Sequence, residues 1–309
     1  MNKKQKYTAF ISTMLFAHYF INKAIFFIAN KNYPSKKLYK QYDWRLGKIA
    51  YYVSGQGKPL LLIRGTTPGQ SSDIFNNNVT ELSKSYTVYS IDLLGYGSSE
   101  RVFTTFTAYT YASLINDFIN DVIGSPTAII AQGEGAMFSM AAYMQKPNNF
   151  KKMILICPKG ISDPYATNED RELRKLYDLP LLGESIYLYN TSMEKIKDIT
   201  KSLIYSQNKA SLVNERFYCS AHVGGADNKY TFSSYITNFM NIDIKPYFDK
   251  LNIPLLSVWG DKSHDFNNMK LMEELTKSAQ YAIFEDTASL PNFENSSEFN
   301  QLAKEFLNQ

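Results

Sequence analysis

Short strand-like segments alternate with helical stretches through most of this chain, and that alternation restricts the fold more than any other feature. Residues 48–53 alternate as a strand does and end in the turn Ser54-Gly55-Gln56-Gly57. Residues 60–63 are wholly apolar, as in a central strand buried on both faces, and 86–91 form a further strand signal. Helical spacing runs over 109–122 and stops at Gly124. Strand signals return at 127–131, at 152–157 before Pro158, at 254–259 and at 279–284. Residues 135–144 and 298–307 read as helices. The pattern predicts a mostly parallel central sheet flanked by helices. Between 160 and 248 strand character disappears, and Tyr- and Leu-rich helices suggest a helical cap inserted into the sheet domain. The predicted units are an arm at 1–42, a core at 43–159 and 249–309, and a cap at 160–248.

One strand-to-helix turn carries most of the functional information. Ile129-Ile130-Ala131-Gln132-Gly133-Glu134-Gly135-Ala136 has a small residue two places either side of Gly133. That is the spacing of a nucleophile elbow, in which the nucleophile sits on a sharp turn at the end of a strand. Other motifs follow the same order along the chain: Arg64-Gly65-Thr66, the turn from Asp92 to Ser99, Trp259-Gly260-Asp261, and Leu290-Pro291-Asn292-Phe293-Glu294. Together these residues resemble the α/β-hydrolase superfamily in its cap-containing form, the esterases, lipases, epoxide hydrolases and dehalogenases. The resemblance covers residues 44–307 and implies the α/β-hydrolase fold.

It implies the chemistry far less. The family's nucleophile position falls on Gly133, its acid on Ser263 and its histidine on Ser289. A Ser-His-Asp site needs a nucleophile, a base in hydrogen-bond reach and an acid that orients the base. Glycine has no side chain to attack with, and a serine hydroxyl at 289 accepts no proton at neutral pH. Moving the elbow by one residue would make Glu134 the nucleophile, but Gln132 would then fill a place reserved for a small residue. Cys157, His222 and His264 are the remaining candidates for substitute chemistry. Each also has a plainer reading, as a buried small residue or a satisfied structural histidine. In the resemblance the backbone amides of Thr66 and Glu134 form the oxyanion hole. Arg64, Gly65, Thr66, Gly133 and Glu134 are therefore the candidate ligand-binding residues, suited to a carboxylate or phosphate oxygen. The alternative is an Arg64 buried in a pair with Glu134 or Asp92 that plugs the site. Asp92 reads as structural, holding its own turn.

Charge divides the chain sharply. Of 33 basic residues, eight lysines (3, 4, 6, 23, 31, 36, 37 and 40) lie in residues 1–42 without one acid, leaving 25 against 29 acids elsewhere. The domain is thus mildly acidic, which excludes a nucleic-acid footprint. Residues 7–29 are apolar over about the ~20 residues a spanning helix needs. Thr8, Ser12, His18, Asn22 and Lys23 share one arc of that helix. A transmembrane anchor, an interfacial helix drawn to anionic lipid and a soluble helix covering the domain all fit. Membrane association is the expectation. No small-x-small site follows the apolar run, so a cleaved leader is not expected. Cys157 and Cys219 supply neither a disulfide framework nor a zinc site, and no metal or cofactor is expected. The sequence therefore points to a membrane-associated protein of hydrolase fold without the triad, binding a small amphiphilic or acidic ligand or a partner in the old pocket. A hydrolase with unconventional residues and a structural scaffold stay open.

Overall fold

The apolar segments become the middle of an eight-stranded sheet. A computed structural model describes residues 3–33, 39–162 and 167–309. The strands are β1 (Lys40–Trp44), β2 (Gly47–Ser54), β3 (Lys58–Ile63), β4 (Tyr86–Ile91), β5 (Thr127–Gln132), β6 (Phe150–Ile156), β7 (Leu255–Gly260) and β8 (Gln280–Phe284). Their order is β1-β2-β4-β3-β5-β6-β7-β8. β1 and β2 join antiparallel, and every pairing from β4 to β8 is parallel. Leu60, Leu61, Leu62 and Ile63 are fully buried, as an all-apolar central strand requires. The C-terminal ends of β3, β5, β6 and β7 therefore converge on one edge, where a parallel sheet places its ligands.

Helices cover both faces. α1 (Lys3–Asn32) precedes the sheet, and α2 (Asn76–Leu82), α3 (Ala108–Phe118) and α4 (Glu134–Gln145) connect the first strands. α3 opens on a capping box made by Thr107 and Thr110, continues as a wider turn, and ends at Gly124 with φ +73°. Between β6 and β7 the chain inserts α5 (Arg171–Asp178), α6 (Leu182–Asn190), α7 (Met193–Leu203), α8 (Gln207–His222), α9 (Asn228–Ile236) and α10 (Lys245–Phe248). α11 (Asn268–Leu275), α12 (Pro291–Glu294) and α13 (Ser296–Asn308) complete the fold.

One boundary differs from the sequence reading, and two helices were missed. β1 begins at Lys40, inside the predicted arm, because its pairing with β2 holds a strand whose own pattern is largely polar. Only Trp44 of that strand is buried, with its indole N–H on Asp117 at 2.9 Å. α2 and α11 were not legible, being too short to develop a clear 3.6 period. Lys36 and Lys37 of the arm, and residues 163–166 of the cap, lie outside the described residues.

Candidate active-site region

The turn after β5 is sharp and falls on Gly133. Its backbone sits at φ +57°, ψ −121°, a region costly for any residue with a side chain. Gly133 N–H donates to the Ile156 carbonyl at 2.9 Å, and the Gly133 carbonyl accepts from Lys159 N–H at 3.2 Å. These bonds tie the turn to β6. A methyl group at Gly133 would meet only Gly65 Cα, at 3.9 Å. At Gly135 it would lie 2.4 Å from the Arg64 carbonyl oxygen. The two glycines thus serve different ends: one leaves space above the turn, the other lets α4 pack on β3. Glu134 opens α4 and does not occupy the sharp turn, which leaves it no place as a displaced nucleophile.

The acid and histidine positions meet. Ser263 Oγ lies 3.1 Å from Ser289 Oγ, and both residues are buried. Gln132 Nε2 donates to the Ser289 carbonyl at 3.4 Å, and Ser289 N–H donates to the Leu203 carbonyl of the cap at 3.0 Å. Gln132, Ser263 and Ser289 are therefore joined by one short network without a proton acceptor of histidine strength. Glu294 accepts from Ala288 N–H at 2.7 Å and from Ser206 N–H at 2.9 Å, so the Ser289 loop is held from both sides.

The residues flanking Gly133 fill the space in which an oxyanion would bind. Glu134 Oε2 accepts from Thr66 N–H at 2.9 Å, and Gln132 Oε1 accepts from Gly65 N–H at 3.1 Å. A carboxylate built into the chain thus occupies the Thr66 donor. The Arg64–Glu134 and Arg64–Asp92 pairs considered from sequence do not form. Glu134 is turned to Thr66, and Asp92 accepts from Ser72 N–H at 3.0 Å and Ser98 N–H at 2.9 Å. Arg64 is fully buried with its guanidinium 4.3 Å from the Tyr96 ring centroid. It donates to the Gly65 carbonyl, while its Nε and Nη2 have no hydrogen-bond partner among the described residues. Thr66 Oγ1 and both amide atoms of Gln70 are buried in the same condition.

Above this loop lies a cavity of about 20 Å³ lined by Thr66, Gln70, Tyr96, Arg101, Tyr187 and Phe232 among others. That is room for roughly one water. Small residues at 133, 263 and 289 favour an enlarged pocket, and a Cβ at Gly133 would indeed meet only Gly65 Cα, but Gln132 and Glu134 bond the Gly65 and Thr66 amides beside it. Sequence reasoning missed Gln70, Tyr96 and Arg101. Arg101 donates to Asn228 Oδ1 at 2.8 Å and to the Val223 carbonyl at 2.8 Å. Burial pushes its pKa down to about 10 against the pull of Asp92.

The substitute candidates are scattered. Cys157 follows β6 at φ +41°, fully buried, with Sγ 3.8 Å from the Ala288 carbonyl. Burial pushes its thiol up to about 11, so little nucleophilic thiolate forms at neutral pH. His264 is exposed, beside an Asp265 that pairs with Lys159. His222 is buried in the cap, where Nδ1 donates to the Tyr218 carbonyl at 2.7 Å and Nε2 faces Thr191 Oγ1 at 3.0 Å. Both ring nitrogens are committed, so His222 is not poised to serve Cys157 as a base. Burial holds the His222 pKa below its ordinary value. As pH falls through about 6.5 the unfolded chain takes up a proton that the folded chain refuses, and stability falls. The urea midpoint should drop between about pH 7.5 and about pH 5, and His222→Gln should make that drop shallower.

Comparison with known proteins agrees with this geometry. A meta-cleavage product hydrolase of Pseudomonas fluorescens IP01 superposes with a TM-score of 0.71 at 18% identity, covering 87% of this chain and 97% of that one. A membrane phospholipase A described as a bacterial virulence factor superposes at 0.69 with 20% identity, covering 96% and 91%. Lipase 3 of Moraxella sp. strain TA144 is 26% identical over 249 residues, 77% of this chain and 73% of that protein. An uncharacterised protein of Mycobacterium tuberculosis is 26% identical over 139 residues, and the match spans only 39% of its length. The sequence model of the α/β hydrolase fold matches residues 58–296, and with the sheet order and the turn at Gly133 it places this chain in the α/β-hydrolase family.

Proposed function

We propose that this protein is a membrane-associated member of the hydrolase family that does not hydrolyse esters, its former catalytic pocket serving to bind a small acidic ligand or a partner. One observation carries the reading: the elbow turn holds Gly133, and the Gly65 and Thr66 amides beside it are already taken by Gln132 and Glu134. A tetrahedral intermediate needs an attacking atom and free donors at the developing oxyanion. Gly133 supplies no attacking atom, and of the two donors the family would use, the Thr66 amide is already bonded. The unpaired donors of Arg64 and Thr66 and the amide of Gln70 support recognition of a carboxylate oxygen. A scaffold role is the second reading, favoured by a cavity of only about 20 Å³. The apolar α1, and the likeness across 96% of the chain to a membrane phospholipase A, support membrane attachment. Purified protein incubated with a fluorophosphonate probe should carry no label. A covalent adduct at any residue of this region would end the non-catalytic reading.

A further inference from the structure

α1 is turned inside out for a soluble helix. Two of its polar residues face the protein: His18 Nε2 is hydrogen-bonded to Ser185 Oγ of α6, and Asn22 is buried together with Phe26 and Ala29. The Phe26 ring stacks 6.4 Å from Tyr187 and lies 6.0 Å from His222. At i, i+4 and i+3 spacing, His18, Asn22, Phe26 and Ala29 form one docked stripe. The opposite face is open and carries large aromatic side chains beside Lys23. Phe16 is 66% exposed, Phe20 53% and Phe27 70%. Only 12% of the apolar window between Tyr7 and Asn32 is buried. A contiguous aromatic face of this kind marks a contact with lipid or another apolar phase.

Two features decide how lipid meets it. Lys197, Asn214 and Glu215 line the groove beside Ile28, Ala29 and Asn32. A bilayer-spanning α1 that kept its docking would carry these polar groups into hydrocarbon, where charges are expensive. The undocked stretch, residues 3–17, reaches only about 22 Å at ~1.5 Å per residue, short of the ~30 Å hydrocarbon core. The eight lysines and absent acids of residues 1–42 fit an anionic head-group layer. Lys23 shows the arrangement locally, with its ammonium 5.4 Å from the Tyr19 ring on the undocked side.

We propose that α1 remains docked on the cap and lies in the plane of an anionic lipid surface, with Phe16, Phe20 and Phe27 among the acyl chains. The inference rests on the membrane attachment proposed above and adds its geometry. The cap then rests against the membrane, and Tyr187, which touches Phe26 on one side, lines the cavity on the other.

The test uses the full chain and vesicles of phosphatidylcholine with phosphatidylglycerol. Cys157 and Cys219 are both buried, so spin labels can be placed singly through Phe10→Cys, Phe20→Cys and Phe27→Cys. Collision accessibility should put the Phe20 and Phe27 labels at one shallow depth and the Phe10 label no deeper. Phe20→Asp with Phe27→Asp, both at exposed positions, should keep the melting temperature and weaken vesicle binding by about tenfold or more. A label at the bilayer centre with others at its two surfaces would show a spanning helix, overturning the in-plane geometry while leaving attachment intact. Unchanged binding by the double variant would overturn the assigned face. Failure of the unsubstituted chain to bind these vesicles would remove attachment itself.

Discussion

Gly135→Ala should leave little folded protein, whereas Gly133→Ser should fold and stay inactive, although the two glycines are separated by one residue. The contrast follows from what each new Cβ would meet. At Gly135 the nearest atom is the Arg64 carbonyl oxygen at 2.4 Å, followed by Arg64 C and the Ile63 carbonyl oxygen at 2.9 Å each. All three are backbone atoms of the β3 end, which cannot turn aside as a side chain can. Overpacking in a well-packed core costs roughly 1–3 kcal/mol and sometimes more. Here it would force α4 from the central strand, so a loss above about 3 kcal/mol is expected, a large share of the ~5–15 kcal/mol that holds a domain together. At Gly133 the only neighbour is Gly65 Cα at 3.9 Å, and the cost is confined to the left-handed backbone, about 1–3 kcal/mol. Soluble yield and urea midpoints of the two variants decide the point. Equal midpoints would contradict it.

Asp92→Ala should be the second large loss. This fully buried carboxylate accepts from Ser72 N–H and Ser98 N–H, tying the loop after β3 to the turn after β4. Hydrogen bonds to a charged group contribute roughly 1.5–3 kcal/mol each. Removing both, and leaving two amides unpaired, should cost about 3–6 kcal/mol in a urea titration. Asp92→Asn keeps an acceptor for one amide and should lose less. Gly97, at φ +49°, adds a check: a Cβ there would lie 2.2 Å from Asp92 Oδ2, so Gly97→Ala should reproduce part of the same loss. A loss below about 1 kcal/mol for Asp92→Ala would remove Asp92 from this role.

The sheet was legible because its strands are apolar enough to identify themselves. Residues 60–63 can be read as central from composition alone, and in the structure they are fully buried. β1 could not be read, since a polar edge strand draws its order from its partner β2 rather than from its own pattern. Motif spacing places Gly133 on the turn, and Ser263 and Ser289 come together at 3.1 Å. What Gln132 and Glu134 do was not legible. Their residue types allow solvent exposure, a salt bridge or a backbone latch, and only the approach of the Gly65-Thr66 loop selects the latch. For the same reason Arg64 suggested an ion pair with Glu134, while packing set it on Tyr96. The polar arc of α1 was visible in sequence. That only its His18 and Asn22 would face the protein was not, because periodicity tells which residues share a face and not what that face meets.

The central claim, that this hydrolase fold performs no ester hydrolysis, is tested most directly by turnover of short p-nitrophenyl esters by the purified full chain. Loss of a triad removes about 10⁶-fold in kcat. The release rate should therefore match that of a heat-killed control, and Gly133→Ser should not raise it, since Ser289 and Ser263 give the new hydroxyl no base. Turnover that persists through purification and disappears in Cys157→Ala or His222→Ala would contradict the account and establish an unconventional hydrolase.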